Sequence, residues 1–317
     1  MSKSFNKVTL LGGGVLGGQI AWHSAFRGKQ VVVYDAFAEG LEKCKQAHQT
    51  YSGIYAKDLN ASEEELKLTF ERLSYSGDLK DAVHGADIII ECVPENPDIK
   101  IKLYDDLSPL LSPQVILATN SSSLLPSQFS EHVKYPENYC ALHFANLVWA
   151  LNIAEIMAHK GTSKETLVNI TRFAIEIGMV PIPVQKERNG YVCNSLLIPI
   201  IHTALTLLNT GVTTPDVLDR TYMIMNRGTS MGPCGIMDIV GFKTVYDINQ
   251  YWGEVNQDEQ MLSNADYVKK NFIDKGILGL QTGQGFYSYP DPMYASPDFL
   301  EVPDVSKAKE IASLAVL

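Results

Sequence analysis

The sequence contains little cysteine, and its cysteines are not spaced as disulfide or metal-binding cysteines usually are. There are five, an odd number, and no two have C-x-x-C spacing (Cys44, Cys92, Cys140, Cys193 and Cys234). Secreted disulfide frameworks normally use an even number, and zinc sites use closely spaced pairs. We therefore expect reduced thiols, no metal site and a cytoplasmic location.

Long apolar runs and a basic excess are also missing. No apolar stretch reaches the roughly 18 residues of a membrane span. The first residues lack the basic region and apolar core of a secretory signal, so we expect none. The net charge is −10, whereas proteins that bind nucleic acid generally carry a basic patch. These absences argue against membrane and nucleic-acid partners and favour a protein that acts on small molecules.

A glycine-rich turn between apolar segments opens the chain. Lys7–Leu11 and Gln30–Tyr34 are predicted to be buried strands, and Gly18–Arg27 is predicted to be the helix between them. The turn between the first strand and the helix has the G-x-G-x-x-G pattern of a dinucleotide-binding βαβ unit. The predicted cofactor contacts in the turn are Gly12, Gly14, Val15, Leu16 and Gly17.

A physical reason explains why glycine is needed at each of these three positions of the turn. Gly12 permits the tight turn, Gly14 lets the backbone approach a pyrophosphate, and Gly17 lets the helix pack close to the sheet. The pyrophosphate would lie on the free N–H groups at the helix N-terminus, where the helix dipole favours negative charge.

Asp35 closes the second strand 18 residues after Gly17. A carboxylate there can bind the ribose hydroxyls and repel a 2′-phosphate. The pattern therefore predicts NAD rather than NADP. An ordinary βαβ turn with a surface aspartate is the alternative.

Strands and helices then alternate as far as residue 188. We predict an α/β fold, a Rossmann-type doubly wound and mostly parallel sheet, for residues 1–188. A helical hairpin between Phe37 and Arg72 is inserted in it, with a capping box at Ser62 and Glu65. Pro126 is predicted to begin a further helix.

Residues 189–317 contain helical patterns and no convincing strand, so we predict a C-terminal all-helical domain for substrate binding and dimerisation. One helix is expected from Gly232 through Asp247. The apolar face of Gly190–Asn209 exceeds what one small domain needs, which predicts a homodimer. The tail after Tyr289 is expected either to cap this domain or to strengthen a dimer contact.

Ligands of such sheets bind at the carboxyl ends of the strands. Gly14, Asp35, Glu95, Asn120 and His143 would all lie near that edge, which predicts a single site there.

Several separated stretches resemble the 3-hydroxyacyl-CoA dehydrogenase family. They run in order from the glycine turn to Tyr289: GGGVLGGQIA, ECVPEN, TNSSSL, HF, AEIM, GYVCN, MGPCGIMDIVGF and TGQGFYSY. Together their order and spacing are highly specific, although each alone is weak. The resemblance implies reversible, NAD-dependent oxidation of a 3-hydroxyacyl-CoA to a 3-oxoacyl-CoA, with S stereochemistry at the hydroxyl.

The resemblance also implies a catalytic dyad. His143 would be the general base for the substrate hydroxyl, and Glu155 would hold its other ring nitrogen. The chemistry agrees, because an imidazole can accept and return a proton near neutral pH. A carboxylate within the apolar strand around Glu155 also needs a partner if it is buried. A structural histidine with an unrelated edge glutamate is the alternative.

Further positions match the family's contacts. Ser122 and Asn194 would donate to the substrate 3-oxygen. Glu95, Lys100 and Asn120 would lie around the nicotinamide half of the cofactor. Two of these have simpler explanations, since Ser122 can be a turn or cap serine and Lys100 can be a solvated helix lysine.

Three departures from the family pattern concern the substrate side. The family's H-F-x-N-P becomes HFANL, with Trp149 nearby, and Ser195 stands where arginine is common. The hairpin lysines that would hold the CoA nucleotide are diluted by acidic residues (Lys43, Lys45, Lys57 and Lys67 among Glu39, Glu42, Asp58 and Glu63–Glu65). A free 3-hydroxy acid, sugar acid or carnitine-like hydroxy-amine is therefore the alternative substrate. A non-catalytic NAD-binding structural or sensor protein is a more remote alternative.

Overall fold

The computed structural model describes residues 5–213, 215–226, 228–229 and 233–314. The described residues form two compact units. One combines those up to Thr203 with those from Val302 onwards, and the other spans Ala204–Glu301. Among the described helices, none is both long enough and apolar enough to cross a membrane.

An eight-stranded sheet forms the centre of the first unit. Its strand order is β3-β2-β1-β4-β5-β6-β7-β8, and all neighbouring pairs are parallel except β6 with β7. The strands are β1 (Lys7–Leu11), β2 (Gln30–Tyr34), β3 (Leu73–Ser76), β4 (Ile88–Glu91), β5 (Ile116–Thr119), β6 (Tyr139–Phe144), β7 (Ile153–Met157) and β8 (Val180–Val184). The prediction of a mostly parallel, Rossmann-type sheet is confirmed.

Helices cover both faces of this sheet. They are α1 (Val15–Phe26), α2 (Ala38–Asp58), α3 (Glu63–Glu71), α4 (Leu79–Val83), α5 (Pro97–Leu107) and α6 (Lys164–Glu176). Alternate strand residues point to opposite faces. Leu10 accordingly packs in one core cluster with Ile20 of α1 and Phe173 of α6, whereas Leu11 packs in another with Tyr104 of α5.

The predicted hairpin and its cap are confirmed. Helices α2 and α3 form it, and the capping box joins Ser62 and Glu65 in both directions. The helix predicted from Pro126 is wrong. Three 3₁₀ turns occupy this segment (Pro126–Gln128, Ser130–His132 and Pro136–Asn138). Phe129 and Val133 are buried there as separate anchors, and Pro136 lacks the N–H that a continuing helix would need.

Helices follow the last strand: α7 (Cys193–Asn209), α8 (Pro215–Met225), α9 (Pro233–Val240), α10 (Phe242–Asn256) and α11 (Glu259–Asn271). The single helix expected from Gly232 through Asp247 is wrong, because α9 and α10 are separated at Gly241, whose φ is +87°. Gly232 itself lies outside the described residues. Within the second unit, buried Asp238 accepts hydrogen bonds from the N–H groups of Phe286 and Tyr287 and from the Tyr289 hydroxyl.

The tail returns to the first unit. Its last helix, α12 (Ala308–Ser313), packs against α6. Ala308 and Ala312 are buried, and Ala312 belongs to the same core cluster as Phe173. The expectation that the tail caps the helical domain is therefore wrong for α12, which completes the layer beside the sheet.

Candidate active site

The glycine turn is shaped by close backbone approaches. Gly12 has a φ of +113°, and a Cβ there would lie 2.6 Å from the carbonyl oxygen of Cys92. A Cβ on Gly17 would collide with the carbonyl oxygen of Gly12. At Gly14, in contrast, a Cβ would meet no described atom within 4 Å. Gly14 also provides no side chain to cap α1, so the helix N-terminus is free to bind an anion.

Asp35 lies beside this turn. Its carboxylate accepts hydrogen bonds from the N–H of Gly13 at 2.9 Å and from the N–H of Phe37 at 3.0 Å. These bonds fix the carboxylate next to the turn, where a ribose bound to the same loop would meet it.

A cavity of about 300 Å³ extends from the turn across the strand ends. It brings together eight of the predicted site residues, Gly14, Val15, Leu16, Gly17, Glu95, Lys100, Asn120 and Ser122. Glu91, Cys92, Val93 and Ser121 complete the lining. The open glycine, the free helix N-terminus and the carboxylate of Asp35 fit a dinucleotide. Among the described residues, no group of three metal-ligating side chains comes together.

His143 and Glu155 are direct partners across the antiparallel pair β6–β7. Nδ1 of His143 lies 2.8 Å from Oε2 of Glu155, and both side chains are buried. A carboxylate can only accept, so Nδ1 carries the proton. Nε2 therefore has a lone pair with which it can accept a proton. Ser122 Oγ lies 3.1 Å from Nε2.

The second oxygen of Glu155 is held by the start of α7. Oε1 accepts hydrogen bonds from the N–H groups of Val192 at 2.8 Å and Cys193 at 2.9 Å. These two backbone donors satisfy an oxygen that would otherwise be buried without a partner. Glu155 thus has a partner at each oxygen although it is buried.

Tyr191 was not among the predicted site residues. Its ring stacks on the His143 ring, with centroids 4.8 Å apart and planes inclined by 25°. The ring is buried, and its hydroxyl has no hydrogen-bond partner within the described structure. Burial raises the pKa of this hydroxyl far above its ordinary value, and the charges of Glu95 and Glu155 raise it further. The only sequence signal is the position of Tyr191 in GYVCN, just before the predicted Asn194.

Lys100 is buried and belongs to an ionic network. Its Nζ lies 2.7 Å from Oε1 of Glu91 and 3.5 Å from Oε2 of Glu95. Tyr104 and Thr119 donate to Oε2 of Glu91. The solvated-lysine alternative is therefore wrong. Glu91 was also missed, although a charged residue at the end of the apolar run ADIII was a usable signal.

The two predicted asparagines occupy different surroundings. Asn120 is buried, and its Oδ1 accepts the N–H of Phe144 at 2.9 Å, which ties the ends of β5 and β6 together. Asn194 is partly exposed in the first turn of α7, one residue after Cys193. Its side chain forms no hydrogen bond with the rest of the described chain.

The altered segment after His143 packs toward the hairpin. Gln19 Oε1 accepts the N–H of Leu147 at 2.8 Å. The Trp149 ring lies 5.7 Å from the Tyr51 ring and 5.9 Å from the Tyr55 ring, both on α2. Trp149 thus anchors this loop to the hairpin.

Two family models match consecutive parts of the chain. The NAD binding domain of 3-hydroxyacyl-CoA dehydrogenase matches residues 7–188, and the C-terminal domain of 3-hydroxyacyl-CoA dehydrogenase matches residues 190–289. A probable 3-hydroxybutyryl-CoA dehydrogenase of Bacillus subtilis is 28% identical over 90% of this chain and 98% of its own length.

Some similar proteins have names that mention no CoA ester. The 5-formyl-3-hydroxy-2-methylpyridine 4-carboxylate 5-dehydrogenase of Mesorhizobium japonicum is 27% identical over 89% of this chain and 90% of its own length. A solved diketoreductase, described as acting on dicarbonyl compounds, is 41% identical over 91% of this chain and 100% of its own, with a TM-score of 0.67.

Proposed function

This chain belongs to the 3-hydroxyacyl-CoA dehydrogenase family, and from that premise we propose that it interconverts a 3-hydroxy compound and the corresponding 3-oxo compound with NAD as its redox partner. The observation that carries the proposal is the placement of His143 between Ser122 and Glu155. An NAD-binding protein without catalysis would have no need for this buried, hydrogen-bonded dyad.

The proposed roles follow from the hydrogen bonds. Nε2 of His143 accepts the proton of the substrate hydroxyl as the C–H hydride leaves. Glu155 stabilises the imidazolium that forms, and the N–H groups of Val192 and Cys193 hold its other oxygen in place. Ser122 is proposed to donate to the substrate oxygen, and Asn194 to do so from the start of α7.

The cofactor would be held by the glycine turn, Asp35 and the residues around Lys100. When bound, NAD supplies the hydride acceptor. In the direction of reduction, His143 returns the proton to the 3-oxygen.

A 3-hydroxyacyl-CoA is the first candidate substrate, and both matching family models support it. One observation favours a free 3-hydroxy acid, sugar acid, hydroxy-amine or other small substrate. In the hairpin, Lys43, Lys45 and Lys67 each lie within ion-pair distance of a glutamate on the same helix. These pairs reduce the positive charge available for CoA phosphates. The 41% identity to a diketoreductase points the same way.

A substrate panel tests the proposal. NADH consumption would be followed with acetoacetyl-CoA and with small dicarbonyl compounds, and NAD reduction with free 3-hydroxy acids, gulonate and carnitine. Fast turnover of the CoA ester alone supports the first candidate. Turnover of small substrates alone supports the second, and no turnover of any contradicts the proposed chemistry.

We also propose a cytoplasmic homodimer with the domains divided near residue 188. The residues after 188, apart from α12, would serve substrate binding and dimerisation. Exposed apolar residues support the dimer: Val192 just before α7, and Leu196, Leu197 and Ile200 on α7. The five free cysteines support the location. A single species of monomer mass in sedimentation at working concentration would contradict the dimer.

A further inference from the structure

The carboxylate of Glu95 binds the residues on either side of Ser122. Oε1 of Glu95 accepts the hydroxyl of Ser121 and, from Ser123, both the N–H at 2.8 Å and the hydroxyl at 3.0 Å. These serines flank Ser122, whose own hydroxyl lies 3.1 Å from Nε2 of His143. Glu95 therefore constrains the two residues that determine where Ser122 points.

Glu95 is well suited to this task because it is charged. Burial disfavours its charge, but the hydrogen bonds from Ser121 and Ser123 and the ammonium of Lys100 outweigh burial and lower the pKa of Glu95. Hydrogen bonds to an ionised acceptor are stronger than those between neutral groups. Lys100 in turn is fixed by buried Glu91 at 2.7 Å.

Other bonds hold the same turn from its remaining sides. Ser121 donates its N–H to Thr119 Oγ1 at 3.2 Å, and its hydroxyl oxygen accepts the N–H of Leu124 at 2.9 Å. The amide of Asn189 donates to the carbonyl oxygen of Ser123. In this turn, the Ser122 hydroxyl faces His143, whereas the hydroxyls of Ser121 and Ser123 donate to Glu95.

We propose that Glu95 is a positioning residue that aims Ser122 at the reacting oxygen and at His143. Glu95 would keep the Ser122 hydroxyl oriented toward His143, in addition to any contact that Glu95 makes with the cofactor. The inference rests on the proposed function, since Ser122 must take part in the hydride-transfer reaction.

A double-mutant cycle tests the route through Ser122. Glu95→Ala should lower kcat by about 10- to 100-fold, which is the scale of a small misplacement of a reacting group. In a Ser122→Ala background, where there is no hydroxyl to aim, the same substitution should have little further effect on kcat. Glu95→Gln, which keeps the shape and an acceptor oxygen, should lie between Glu95→Ala and wild type. It also keeps the test usable if Glu95→Ala folds poorly.

Glu187→Ala is the matched control, because Glu187 accepts the N–H of Ser127 in the next turn without touching residues 121–123. It should leave kcat unchanged. The affinity for NAD, measured by titration without substrate, should fall by a smaller factor than kcat in the Glu95 variants.

Equal losses of kcat from Glu95→Ala with and without Ser122 would overturn the inference, as would a loss confined to NAD affinity. If Ser122→Ala has wild-type turnover, the inference falls together with the role of Ser122. The dyad is then still judged separately, by replacing His143.

Discussion

Three chain segments hold the His143 imidazole. Glu155 binds Nδ1, Ser122 lies at Nε2, and the Tyr191 ring covers one face. The stacked ring restricts rotation of the imidazole, and an aromatic face stabilises a nearby positive charge. Tyr191 therefore supports the imidazolium formed in the proposed reaction through its ring, while its hydroxyl has no partner among the described residues.

This distinction gives a prediction for two variants of Tyr191. Tyr191→Phe keeps the stacked ring and removes a buried hydroxyl without a partner in the described structure, so kcat should be unchanged. Its unfolding free energy should be equal or higher by up to about 1 kcal/mol. Tyr191→Leu removes the ring face and should lower kcat by about tenfold. Steady-state kinetics and urea unfolding of both variants check this, and a large loss of kcat in Tyr191→Phe would show that the hydroxyl takes part.

The site was partly predictable from single residues. The resemblance to the family implied the pairing of His143 with Glu155. The strand pattern supported it, because a glutamate within the apolar strand IAEIM needs a partner and His143 lies on the preceding strand. The burial of Lys100 did not follow, because it depends on Glu91 in a neighbouring strand. The hydrogen bonds from Ser121 and Ser123 to Glu95 join separate segments of the chain, so no local sequence pattern indicates them.

Two buried histidines join α1 to its neighbours. His23 donates from Nε2 to the carbonyl oxygen of Ile177 and accepts the Tyr55 hydroxyl at Nδ1. His48 on α2 donates from Nε2 to the carbonyl oxygen of Gly18 and lies 2.6 Å from the Tyr75 hydroxyl. Both rings are satisfied when neutral. Burial, aided by the Arg27 charge, lowers the pKa of His23 from 6.5 to about 4, and burial lowers that of His48 to about 4.

The packing of α1 should therefore weaken in acid. Below pH 6.5 these histidines bind protons in the unfolded chain but stay neutral in the folded chain. The free energy of unfolding therefore falls as the pH is lowered from 6.5 toward about 4. The slope is at most about 1.4 kcal/mol per pH unit for each histidine. Urea unfolding between these pH values measures it. His23→Gln should flatten the slope and exposed His84→Asn should not; an unchanged slope in His23→Gln would contradict this.

Elements were predictable where the apolar pattern was strong. Seven of the eight strands coincide with short apolar runs, whereas β3 (Leu73–Ser76) has no such run. The hairpin follows from its capping box. The failures have local causes. Three-residue turns after Pro126 bury isolated side chains without a helical stripe, and the backbone of Gly241 separates α9 from α10 in a segment whose apolar pattern is continuous.

At the scale of the whole chain, the first unit is closed by residues that come last in sequence. Helix α12 packs on α6, with Ala308 and Ala312 buried. This placement was not predictable, because a short helix with two small apolar residues could cover many surfaces.

Deletion of residues 302–317 should therefore destabilise the first unit. Removal of two buried alanines and the exposure of α6 should lower the unfolding free energy by about 1–3 kcal/mol. Thermal unfolding checks this, with Leu300→Ala, an exposed residue just before the segment, as the control. An unchanged melting temperature would contradict the packing of α12.

The central claim is that this family member transfers hydride with His143 as its base. The most direct measurement compares wild type with His143→Ala, using the best substrate of the panel and titrating NAD in parallel. His132→Ala, at a partly exposed histidine paired with Asp105, is the control. We predict a loss of kcat of about 10²–10⁴-fold with NAD affinity nearly unchanged. Turnover close to wild type in His143→Ala would contradict the account.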